Sequence, residues 1–119
     1  MSADALLELA SVRGFRWRRF GAGQDGPELL VGVYQWADCV DVLVVRDAEH
    51  AHAYRTPTGP ATDVFAPTHV YWWYGDYNLV WTLRAVLTLA APGELGAPAR
   101  LTPAPPAARL PFRVSAEQV

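Results

Sequence analysis

Apolar residues recur at Leu6, Leu7, Leu9, Ala10 and Val12, close to helical spacing. Ser2 is placed to cap that stretch and Gly14 to end it, so the pattern predicts a short N-terminal helix. Phe15 to Phe20 mixes rings with arginines, and Gly21 to Pro27 is dense in turn formers, which together predict a strand and a loop. Leu29 to Trp36 is rich in Val, Leu and aromatic residues, and Val40 to Val45 is apolar at every position except Asp41, as a central strand would be. His50 to Thr56 alternates strictly. His50, His52, Tyr54 and Thr56 fall on one side of a strand there, and Ala51, Ala53 and Arg55 on the other. With two to four residues between them, these three segments predict an antiparallel meander.

Leu79 to Leu89 fits two periods. As a strand it has one apolar face through Leu79, Trp81, Leu83, Ala85, Leu87 and Leu89; as a helix it has a stripe at Leu79, Leu83, Val86, Leu87 and Ala90. Length above ten, central Leu and Ala, a cap at Asn78 or Asp76 and the Pro92-Gly93 stop favour a helix near residues 78–90. Prolines then recur from Pro92 to Pro111, which disfavours regular structure and favours extended polyproline geometry, with Phe112 to Val114 available as a short edge strand. The expected fold is therefore α+β: an antiparallel sheet of four to five strands, an N-terminal helix, a helix near 78–90 and a proline-rich C-terminal tail. Residues 1–91 are expected to form a single domain, with 92–119 as a tail packed on its surface or flexible.

A chain of 119 residues, 51% hydrophobic and 18% charged, fits one globular domain and is too apolar for a disordered one. The net charge of −2 supplies no general attraction to nucleic acid or to an anionic membrane. All ten basic residues are Arg and Ile is absent, a bias of the kind GC-rich bacterial genomes impose, so the composition looks actinobacterial. Cys39 is the single cysteine, which rules out an intrachain disulfide; its apolar neighbours suit an inert thiol. With neither a basic start leading into a long apolar core nor an apolar run of about 18 residues, no signal peptide or membrane span is expected, and the cytoplasm is the expected location.

Within this frame the most informative stretch is aromatic. Tyr71, Trp72, Trp73, Tyr74, Tyr77 and Trp81 crowd around Gly75, Asp76 and Asn78, and each such ring brings about 150–250 Å² to bury. Four bulky rings in unbroken sequence cannot all enter one small core, because a strand sends neighbours to opposite sides. Some ring area must meet the proline-rich tail or another molecule. The expected role is a non-catalytic interaction module, a homodimer or the docking site of a protein partner, with a binding surface of Tyr71, Trp73, Tyr74 and Tyr77 and with Trp36 as a neighbour.

Other constellations weigh less. His50 and His52 point the same way about 7 Å apart, and His69 could complete a transition-metal site, so the His50, His52 and Tyr54 face is the alternative: a small-molecule or metal site, conceivably catalytic. A metal needs a third ligand, and no spacing announces one; otherwise no cofactor is expected. Arg13, Arg16, Arg18 and Arg19 alternate with Phe15, Trp17 and Phe20, a mixture that single-stranded nucleic acid binding uses, but the net charge weighs against it. The serines lie near the chain ends and form no nucleophile elbow. Gly21, Gly23 and Gly26 match a dinucleotide fingerprint in spacing, yet Pro27 and a β-rich run follow where a helix should, so a hairpin loop is expected.

Overall fold

The first helix, α1 (Ala3–Arg13), begins where the Ser2 hydroxyl accepts a hydrogen bond from the Ala5 amide and ends at Gly14, whose φ of 125° suits glycine. The computed structural model describes residues 1–21 and 28–110. Five strands follow: β1 (Arg16–Phe20), β2 (Leu29–Gln35), β3 (Cys39–Asp47), β4 (His50–Pro57) and, after the short β5 (His69–Val70), β6 (Trp72–Tyr77). They form one antiparallel sheet in the order β1-β2-β3-β4-β6, the meander that the alternation predicts extended by a strand at each side. The second helix, α2 (Leu79–Thr88), is capped by Asn78, whose Oδ1 accepts from the Trp81 amide at 2.9 Å, so the helix reading of this ambiguous segment is the correct one.

Both helices cover one face of the sheet. Leu6 and Ala10 of α1 and Leu79, Leu83, Val86 and Leu87 of α2 bury against Leu43, Val45, Ala51 and Ala53. Ala51 and Ala53 are small because helices must approach them closely. Where Asp41 and Arg55 point into this layer, they meet each other: Arg55 donates from Nε at 2.6 Å and from Nη2 at 2.9 Å to the Asp41 carboxylate. Trp36 also donates to Asp41 at 2.9 Å, and Arg55 Nη1 donates to the Ala90 carbonyl at 2.8 Å. A second arginine, Arg13, donates to Leu87 O at 2.7 Å, so two guanidiniums hold the carbonyls at the end of α2.

The opposite face carries Phe20, Leu29, Val31, Val40, Val42, Val44 and Tyr54, all buried. Among the described residues no α-helix lies over them. Val64 and Phe65 of the β4–β5 connection and Ala104, Ala108 and Leu110 of the proline-rich stretch cover this face instead. The stretch is pinned by β7 (Thr102–Pro103), which pairs with β5, and by a 3₁₀ turn, Pro106–Ala108, that puts Ala108 fully inside. Phe20 pairs with Leu29, so the element that follows β1 among the described residues is an antiparallel strand and not a helix. Most of that expected hairpin loop, residues 22–27, and the expected edge strand at Phe112 to Val114 lie outside the described residues.

Candidate functional site: the free sheet edge and the His52 cleft

Among the described residues β6 is the last strand of the sheet, paired with β4 on one side only. Alternation divides its rings as the sequence requires. Trp72 and Tyr74 turn toward the helices and stack at 5.9 Å, and Tyr77 continues the row 4.9 Å from Tyr74. Trp73 turns the other way, 5.0 Å from His52 and 6.4 Å from Tyr54. Residues Tyr71 to Tyr74 are all half-buried, whereas Tyr77 and Trp81 each leave 55% of their surface exposed. Arg84 lies over the Trp81 ring at 5.6 Å.

The register of β6 carries an irregularity that matters to both faces. Ala53 pairs with Tyr74 and Ala51 with Tyr77, so β6 spends one residue more than β4 opposite His52. This bulge places Asp76 at φ 48°, a left-handed conformation that Asp tolerates better than most side chains. Gly75 beside it leaves room for the Trp73 indole, since a Cβ there would come within 2.4 Å of that ring. A second bulge lies directly across: Val45 pairs with Ala51 and Asp47 with His50, leaving Arg46 as the extra residue of β3. The turn it leads into is fixed by the Leu79 amide, which donates to Ala48 O at 2.9 Å.

His52 sits between the two bulges. Its Nε2 is buried and is the one buried side-chain nitrogen or oxygen among the described residues that lacks a hydrogen-bond partner. Burial holds the imidazole pKa down to about 4, the Arg46 charge pushes it the same way, and Asp76 opposes them. Around it opens a cleft of about 300 Å³ bounded by Arg46, His50, Trp73, Asp76, Arg109 and Leu110. Tyr54, one pair of positions along β4, is sealed off: its hydroxyl donates to Val64 O at 2.6 Å, and burial pushes its phenol well above the usual range. Burial likewise raises the Cys39 thiol, as an inert cysteine requires.

The residues singled out from sequence are therefore spread over several places. Tyr74 and Tyr77 share a row at the sheet edge; Trp73 belongs to the opposite face, with His52. Tyr71 comes just before β6, where its amide donates to Arg55 O, and Trp36 packs edge to face 4.7 Å from Tyr34 and lies 5.5 Å from the Arg55 guanidinium. Trp36 thus belongs to the buried ion pair. Of the histidines, His50 is exposed, its Nδ1 2.9 Å from Asp47, whose carboxyl is held below its usual range chiefly by that contact. His69 is exposed on β5 beside Thr56, about four strand positions or ~13 Å from His52. Among the described residues no group of three His, Cys, Asp or Glu is placed to hold a metal ion. Arg46, Asp76 and Arg109 escape sequence reasoning because two depend on bulges and the third on the path of the tail. Trp81 belongs to the aromatic block, and the buried helical stripe of Leu79, Leu83, Val86 and Leu87 leaves it on the outer side of α2.

No protein-family model, no curated protein and no solved structure matches this chain. The geometry alone carries the functional argument.

Proposed function

We propose that this protein is a non-catalytic interaction module that self-associates through the β6 margin, with Tyr77 and Trp81 as anchors and Tyr74 behind them. The observation that carries this reading is the 55% exposure of both Tyr77 and Trp81 beside a strand whose outer edge is unpaired among the described residues. Large rings left half in water next to unpaired strand groups are costly unless covered. The bulge at Gly75 and Asp76 shortens the regular edge to Trp72–Tyr74, so ring burial and not a long ladder supplies the affinity.

No described helix is long and apolar enough to cross a membrane. We assign the module to the cytoplasm of a bacterium of the actinobacterial type on the strength of its single cysteine and all-arginine basic complement. The test of association is light scattering at about 100 μM, a concentration at which weak dimers form. The wild type is expected to show dimer mass and the Tyr77→Ala/Trp81→Ala variant monomer mass with an unchanged circular dichroism spectrum. A wild-type protein that stays monomeric throughout would overturn the reading.

A further inference from the structure

The His52 cleft lies on the sheet face away from the helices and from the Tyr74–Tyr77 row, so it is independent of the association surface. Strands β3 and β6 each spend an extra residue within reach of His52, and each bulge delivers a charged side chain, Arg46 and Asp76, to the rim of the same cavity. Bulges of this kind re-aim side chains and recur beside binding sites. The proline-rich stretch adds a third charge, Arg109, together with the apolar Leu110. The Trp73 indole, seated over Gly75, forms one wall, and the His52 imidazole lies tilted against it at 5.0 Å.

We propose that this cleft binds a small organic monocarboxylate with an apolar body. The carboxylate is held by Arg46 and Arg109 with one of its oxygens at His52 Nε2, and the body lies against Trp73 and Leu110. Three features select this class. Two arginines share the lining of the cleft with one carboxylate, that of Asp76, which leaves a single positive charge to be matched and disfavours a dianion such as phosphate. The cavity of about 300 Å³ is at the small end of ligand pockets, enough for one ring or a short chain. A buried ring nitrogen without a partner carries a desolvation cost that a ligand hydrogen bond removes.

The experiment is a titration of the full-length protein followed by the imidazole ¹⁵N and ¹H resonances of His52 and the indole resonance of Trp73. The probes are benzoate, phenylacetate and hexanoate, with benzamide and inorganic phosphate as the uncharged and dianionic comparators. At least one carboxylate is expected to shift both side chains saturably with a Kd of about 1 mM or tighter. Binding is expected to weaken about tenfold or more for benzamide, and by the same margin in Arg46→Gln and Arg109→Gln, both exposed positions whose change leaves the fold intact. Arg19→Gln, whose side chain pairs with Glu28, serves as the control and binds as the wild type. The proposal is overturned if no carboxylate moves the His52 signals up to about 10 mM. It is equally overturned if phosphate or benzamide binds as well as the carboxylate, or if both cleft arginine variants bind undiminished.

Discussion

Gly75 and Trp73 illustrate how much a single hydrogen can decide. With an ideal Cβ at Gly75 falling 2.4–2.5 Å from the Trp73 indole, a Gly75→Ala substitution must push the ring off its seat, because the obstruction is the rigid body of the ring system and not a mobile tip. Overpacking of this kind costs about 1–3 kcal/mol. The expected result is a lower urea midpoint and a red-shifted tryptophan emission; an unchanged midpoint would show that the ring relocates freely. His52 supplies a prediction of a different sort. Its imidazole titrates near 6.5 when unfolded and about 4 when folded, so between those values the unfolded chain binds more protons. Stability from this group is complete above pH 6.5 and declines as pH falls toward 4, by at most on the order of 3 kcal/mol. Chemical denaturation from pH 7 to 4.5 is expected to show this decline in the wild type and a flatter profile in His52→Leu.

At the scale of elements, the Arg55–Asp41 pair joins the sheet to the end of α2. Arg55 is 1% exposed and Asp41 3%, and the two are adjacent partners on β4 and β3. Every polar atom of this cluster has a use: Asp41 accepts from Arg55 and Trp36, and the remaining guanidinium nitrogen reaches the Ala90 carbonyl. Removing one member strands the other in a dry layer, so Asp41→Ala is expected to cost about 3–5 kcal/mol. The paired replacement Asp41→Leu/Arg55→Met keeps the volume apolar and is expected to recover most of that loss. Equilibrium denaturation of the two variants distinguishes a pair that stabilises from one that is merely compensated: if the double variant is as unstable as the single, the clamp on Ala90 carries the larger share.

For the whole molecule, the sheet is covered unequally. Helices close one face with a continuous apolar layer; the other is closed by a loop and a proline-rich strap held by β7, Ala108 and the Leu110 amide, which donates to Phe65 O at 3.1 Å. The cleft opens on the strapped face, between β3, β4, β6 and the Arg109–Leu110 end of the strap. The exposed rings sit at the margin, where the sheet ends. If self-association covers them, mass action adds to stability, and the melting temperature of the wild type rises with protein concentration while that of Tyr77→Ala/Trp81→Ala does not. A melting temperature independent of concentration for both would remove association from the account.

What sequence alone determined is the set of elements and the face each residue takes. Period-2 alternation in His50 to Thr56 put His52 and Tyr54 together and Arg55 opposite, because side chains in a strand have no other choice. Ser2, Gly14 and Asn78 marked helix ends through local hydrogen bonds that need no distant partner. Alternation also dictated that the rings of the aromatic block could not all enter one core, whereas the placing of Trp73 by His52 and of Tyr74 by Trp72, against the single binding surface expected of them, came from the structure. Tertiary structure decided everything that depends on which strands are neighbours. It made β6 an edge, chose Asp41 as the partner of Arg55 across 14 positions, and laid Arg109 near His52. The two bulges that aim Arg46 and Asp76 are likewise properties of paired strands, since an extra residue exists only relative to the strand beside it. Local chemistry names the element; only the assembled sheet says which elements share a site.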